Sequence, residues 1–130
     1  MACFALARLA QFEPEKAWQG QAKTALLAGM QRYEQSPAGS PMALMTLDLL
    51  TRPSPRVELH GKDSGALHKV LSQGYRPFIA LTRGPSEGSS QAVVCLGTQC
   101  LEPATTPAEL KERLKAAYRE AASSTRPSKN

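Results

Sequence analysis

Pro53-Ser54-Pro55 separates two stretches of different hydrophobic period, and no helix can run through it. Proline has no amide hydrogen to give a helix and disfavours helical geometry in the residue before it, so a helix arriving from upstream stops short of Pro53. Before this break, apolar residues recur every three or four positions. After it, Arg56-Val57-Glu58-Leu59-His60 alternates with the period of a half-buried strand. A breaker between two periods predicts helices first and a small sheet afterwards, an α+β chain.

Three helices are expected upstream. Residues 2–11 set Phe4, Leu6 and Leu9 among alanines, with an end at Glu13-Pro14. From about Glu15 to Glu34, Trp18, Ala22, Ala25 or Leu26, Gly29 or Met30, and Tyr33 follow at helical steps. The small residues Ala22, Ala25, Ala28 and Gly29 suit close approach by another helix. Ser36-Pro37-Ala38-Gly39 is a loop, after which Ser40-Pro41 offers an N-cap followed by proline at the first helical position. Ala43, Leu44, Leu47 and Leu50 then form the stripe of the third helix.

Downstream, Ala66, Leu67, Val70 and Leu71 predict a short helix between the Arg56–His60 strand and a second strand, Phe78-Ile79-Ala80-Leu81. A helix in that connection lets it serve as a crossover, giving a βαβ unit with parallel strands. Residues 83–91, rich in Gly, Ser and Pro, read as a surface loop, and Ala92 to Leu96 as a third strand, antiparallel to one of the others. Thr106-Pro107-Ala108-Glu109 has the capping-box pattern that opens a helix, with Leu110, Leu114, Ala117 and Ala121 on one face and Glu109 paired with Arg113 four residues on. The expected division is a helical segment at 1–52, an α/β segment at 53–104, a capped final helix at 105–122 and a disordered tail at 123–130.

The net charge of +5 is uneven along the chain: residues 1–55 and 56–105 each carry five basic and four acidic groups, and residues 106–130 carry six and three. The excess lies on the last helix and tail. Tyr118 is the one aromatic residue after Phe78, so the basic surface lacks the interleaved aromatics of a single-strand nucleic-acid binder, and a solvated helix face is the expected reading. Nucleic acid is not an expected partner. No apolar run approaches the ~20 residues of a membrane-spanning helix. Arg8 interrupts the apolar N-terminus, no basic segment precedes it, and Glu13 and Glu15 are foreign to mitochondrial presequences, so a cytoplasmic location is the default expectation.

The block Val93-Val94-Cys95-Leu96-Gly97-Thr98-Gln99-Cys100 joins an apolar strand to a turn bearing a second thiol, then runs through Leu101-Glu102-Pro103 to the capped helix. It resembles the C-terminal end of the thioredoxin-domain proteins that carry a six-hairpin helical toroid, the group that includes the spermatogenesis-associated thioredoxin-like proteins. Three stretches carry the likeness: residues 5–25 resemble a toroid hairpin, Met42 to Leu50, with its Leu47-Asp48, resembles the next helix, and Val57 to Leu114 resembles the family's small α/β segment ending in the paired cysteines and the helix start at Pro103 and Pro107. The resemblance implies that the three N-terminal helices are part of an α/α toroid and that the chain is a non-catalytic C-terminal module or fragment of a protein of that type. Family members carry a Cys-x-x-Cys motif in an N-terminal thioredoxin-like domain. This chain has no Cys-x-x-Cys, so that dithiol chemistry does not transfer to it.

Candidate chemistry is sparse. Cys95 and Cys100 admit three readings: packed thiols, a reversible disulfide if the chain folds back at Gly97 to bring the Cα atoms within about 7 Å, or half of a zinc site wanting two more ligands. Their flanks, Val94, Leu96, Leu101 and Glu102, offer no positive charge to activate a thiol. Cys3 is expected in a helix core. His60 and His68 lack a nucleophile with an orienting acid at a recognisable spacing, and both are expected to be partly exposed. The strand-to-helix loop His60-Gly61-Lys62-Asp63-Ser64-Gly65 carries neither a dinucleotide nor a phosphate-loop motif, which leaves Asp63 or Ser64 as an N-cap. Asp48 is a lone acid on an apolar helix, where glycoside chemistry needs two, and Trp18 reads as hairpin packing. No cofactor and no catalytic residue are expected. Three functions follow: a non-catalytic module, a thiol-disulfide redox module using Cys95 and Cys100, and a docking subunit whose first three helices meet a separate toroid chain.

Overall fold

The computed structural model describes residues 2–14, 16–36, 38–52, 54–74, 76 and 78–124. It is a mixed α+β structure of several helices and one small mixed sheet, divided into two compact units, Met1–Arg52 and Pro53–Asn130. No helix among the described residues is long and apolar enough to cross a membrane. The described residues form no closed ring of helical hairpins.

The first unit holds α1 (Ala2–Phe12), α2 (Trp18–Ala28), α3 (Met30–Gln35) and α4 (Pro41–Thr51), one helix more than the periodicity predicts. The helix expected from Glu15 to Glu34 breaks at Gly29, and its first described turn begins at Trp18. Gly29 N–H closes α2 on the Leu26 and Leu27 carbonyls, while the Gly29 carbonyl accepts from Arg32 and Tyr33 to start α3. The Tyr33 ring lies where a Cβ on Gly29 would stand, so the missing side chain is what admits it.

In α4 the buried residues are Ala43 and Thr46; of the expected stripe Ala43 is buried and Leu50 packs against the core, whereas Leu44 and Leu47 are 52% and 43% exposed. Thr46 is fully buried because its hydroxyl is satisfied locally, donating to the Met42 carbonyl at 2.6 Å and lying 3.6 Å from Cys3 Sγ. Small side chains on this face let α4 pack closely on α1, and the leucines are turned outward. Cys3, Leu26 and Ala43 form the core, with Ala25, Tyr33 and Leu50 against it. Ser40 precedes α4 but gives it no side-chain cap; its carbonyl accepts from Ala43 and Leu44.

The second unit contains β1 (Pro55–His60), α5 (Gly65–Ser72), β2 (Ala80–Arg83), β3 (Gln91–Leu96), β4 (Gln99–Cys100) and α6 (Pro107–Ser124). The sheet order is β2-β1-β3-β4, with β1 parallel to β2 and antiparallel to β3. The second strand begins at Ala80, two residues beyond its predicted start at Phe78. Phe78 instead lies in a turn closed by Ile79 N–H donating to the Arg76 carbonyl at 3.5 Å, and Arg76 Nη1 donates to the Val70 and Leu71 carbonyls at 2.6 and 3.2 Å, capping the end of α5. Val57, Leu59, Ala92 and Val94 supply one sheet face, and Leu67, Val70 and Leu71 of α5 with Leu110, Leu114 and Ala117 of α6 cover it in a single cluster. Fully burying such a side chain contributes roughly 1.5–3 kcal/mol, so this layer carries the stability of the unit.

The Thr106 capping box is made: Thr106 Oγ1 accepts from Glu109 N–H at 3.2 Å, and Glu109 Oε2 accepts from the Thr105 and Thr106 amides at 2.8 and 3.2 Å. Glu109 is thereby engaged, and the expected Glu109–Arg113 pair is replaced by Arg113 Nη2 to Glu102 Oε2 at 3.0 Å. The final helix runs on to Ser124, past the predicted end at 122; the remaining expected tail, 125–130, lies outside the described residues.

Candidate functional site

Cys95 and Cys100 stand directly opposite each other on β3 and β4 and are joined by a disulfide. The hairpin between them turns on Gly97-Thr98. Gly97 has φ +60° and Thr98 is not in the positive-φ region, the arrangement of a two-residue turn with glycine first that follows the twist of the strands. Leu101 N–H donates to the Val94 carbonyl at 2.8 Å, so the neighbouring Val94–Leu101 position is hydrogen-bonded and the cysteines occupy a non-hydrogen-bonded one. Opposed side chains stand closest at such positions, and the two Cα atoms are 3.9 Å apart.

Beyond Leu101 the pairing slips by one residue. Ala92 exchanges both backbone hydrogen bonds with Ala104 at 2.8 Å, whereas an unbroken register would put Pro103 there. Proline cannot donate, so the extra residue brings in one that can.

The two sulfurs lie in different surroundings. Cys95 is buried at 4% exposure, while Cys100 is exposed at the sheet edge. On its other side Cys95 is paired with Arg56 of β1, and cross-strand partners project from the same face of a sheet. Register thus places an arginine from a distant part of the chain opposite Cys95, where the flanking sequence has none.

Other candidates are dispersed. His60 Nε2 lies 3.4 Å from Glu58 Oε1, both against Gly84, where a Cβ would collide with them; His68 is exposed on α5. Ser64 is buried and occupies the N-cap position of α5, yet its hydroxyl makes no cap hydrogen bond. Its carbonyl instead accepts from His68 N–H at 2.8 Å. Asp48 is tied to Arg52 at 2.9 Å along α4. Trp18 is only half-buried: its indole N–H donates to Glu13 at 3.0 Å and Lys16 stands 5.8 Å from its ring centroid, so it braces the α1–α2 turn and is no core residue. Bonds from Lys16 and then Trp18 hold the Glu13 carboxyl below its ordinary range. Cys3 is buried. Among the described residues no group of three or more His, Cys, Asp and Glu side chains is placed to hold a metal ion.

One feature of the helical unit is apolar. Leu26, Met30 and Tyr33 from α2 and α3, with Ala43, Leu44 and Leu47 from α4, line an open cleft of about 210 Å³ bordered by Glu34. Leu27, next to Leu26, is 55% exposed and Met30 38%. In the second unit Tyr118 is the sole large apolar side chain comparably exposed among the described residues. The sequence holds a partial signal for this face, since Leu44 and Leu47 are three apart, but the same spacing is what led to their placement in the core.

No protein-family model, curated protein or solved structure matches this chain, so its likeness to the toroid family rests on the residues quoted for it above.

Proposed function

We propose that the chain is a non-catalytic docking module whose helical unit binds an amphipathic helix of a separate chain through the cleft between α3 and α4. The observation that carries this reading is the exposure of Leu44 and Leu47 of α4 around one cleft with Met30. Burying a leucine is worth roughly 1.5–3 kcal/mol, and leucines and a methionine around a groove are the anchors by which proteins take up an apolar helix face. The toroid resemblance gives this partner an identity: helical hairpins of the kind that precede the matched region in family members.

Photo-crosslinking from p-benzoylphenylalanine at Leu44 or Leu47, in the native host, tests it. A discrete adduct with a helical protein is expected, reduced at least several-fold by Met30→Asp and not seen from a probe at Glu87 in the other unit. Equal, diffuse labelling from all three positions would refute the reading, and an adduct only with a second copy would reassign the face to self-association.

A second reading, a thiol-disulfide module, is favoured by Arg56 opposite Cys95. The thiolate of a dithiol reductant would attack the exposed Cys100 sulfur, break the S–S bond and release Cys95 as a thiolate beside Arg56. The reductant's second thiol would then displace Cys100, taking the disulfide and leaving two protein thiols. Arg56→Gln should slow reduction by dithiothreitol several-fold, read by thiol alkylation and mass spectrometry; an unchanged rate would remove this reading.

A further inference from the structure

Charge and shape combine on the outer side of α5 and α6. Val70, Gln73 and Arg76 from α5 and the residues after it face Lys111, Leu114, Lys115, Tyr118 and Arg119 of α6 across an open groove of about 460 Å³. Its floor is apolar, since Val70 and Leu114 are buried core residues, and its walls hold four cations and no carboxylate. Lys115 is paired with Glu112 at 2.7 Å, but Lys111 and Arg119 have no ion-pair partner among the described residues. Lys111, Lys115 and Arg119 succeed one another at four-residue steps, where like charges on a helix repel.

Arg76 faces this stripe from across the groove. It is held in place by the bonds its Nη1 gives to the end of α5, and its Nη2 makes no bond to a described residue. Tyr118 is exposed along one side, and the partial burial of its ring raises its phenol above the ordinary value while the nearby charge of Arg76 opposes that. Glu112 offsets part of this charge, bonding Lys115 and feeling the charge of Arg119, and sits outside the groove lining; the cations that remain are relieved by an anion, and an apolar floor under them favours one with an apolar body.

We propose that this groove binds a small amphiphilic anion, an organic phosphate or carboxylate whose aromatic or aliphatic body lies on Val70, Leu114 and Tyr118 and whose head lies among Arg76, Lys111 and Arg119. The concavity and its small-molecule size set it apart from a flat membrane-binding surface, and the cleft in the helical unit plays no part in it.

Titration of the full chain with 2-naphthyl phosphate and with 2-naphthoate, followed by amide NMR shifts, tests the proposal and distinguishes the two head groups. Shifts are expected to cluster at Gln73, Lys111, Lys115 and Tyr118, with affinity for at least one of the two anions about tenfold or more above that for 2-naphthol or inorganic phosphate. Lys111→Gln with Arg119→Gln should weaken binding by about tenfold, as expected when charge-assisted hydrogen bonds are removed. Both residues are exposed, so the fold is retained; Leu44→Asp in the other unit should leave the affinity unchanged. Equal affinity for 2-naphthol, shifts confined to the helical unit, or binding to phosphatidylserine vesicles without binding of either naphthyl anion would each overturn it.

Discussion

Gly61 and Gly20 illustrate how the same residue type carries opposite weight at different places in the backbone. Gly61 ends β1 with φ +82°, and a Cβ there would come within 2.8 Å of the Ser90 backbone, so both conformation and space demand glycine. Gly61→Ala is expected to destabilise the chain by about 1–3 kcal/mol, seen as a lower urea midpoint. Gly20 lies in α2, where an added methyl group would have nothing within 4 Å. Gly20→Ala should therefore stabilise by up to about 1 kcal/mol through helix propensity alone, and a loss of stability would show that the α2 surface meets something there. Thr46 and Arg56 show the matching limit for polar side chains. Burial of a hydroxyl in α4 depends on its sharing the helical carbonyl of Met42 four residues back, and the placing of an arginine opposite Cys95 depends on strand register.

At the scale of the element, the start of α6 is the best-defined local structure in the chain. The Glu109 carboxyl is held below its ordinary range, first by the backbone amide of Thr105, then by that of Thr106 and by the Thr105 hydroxyl. Because the folded value is depressed, the stabilisation it brings is present above the unfolded value, through neutral pH, and is lost as pH falls through the folded one. Glu109→Gln should flatten the acid limb of the stability curve from about pH 5 downward, measured by urea denaturation at several pH values. The β3–β4 hairpin is held by its glycine turn, its backbone bonds and the Cys95–Cys100 bridge together. A bridge closing so short a loop constrains the unfolded chain little, so Cys100→Ser should cost no more than about 2 kcal/mol and leave amide protection in β1 intact.

For the whole molecule, the unequal cores decide which unit opens first. Cys3, Leu26 and Ala43 make up the buried apolar cluster of the helical unit, whereas the second unit encloses a sheet face under two helices. Amides of α2 and α4 should exchange with solvent at least tenfold faster than those of β1 and α6, and protease should cut the first unit before the second. Identical exchange throughout would mean that the two units unfold as one. An added helix on the Leu44–Leu47 face should slow exchange in the first unit only, linking this prediction to the docking reading.

The chain by itself determined whatever depends on neighbours in sequence. The proline break, the alternation of β1, the capping box and the Leu110–Leu114–Ala117–Ala121 stripe are local patterns, and local sterics and hydrogen bonding suffice to place them. Tertiary structure decided which face of a helix is inside: α4 turned on the fit of Ala43 and Thr46 against α1, and no spacing within α4 encodes that choice. It also decided who stands beside whom. Arg56 stands opposite Cys95 through strand register, and Arg76 lines one groove with the Lys111–Arg119 stripe because α5 and α6 share one sheet face, so both neighbourhoods exist only once residues far apart in the chain have packed.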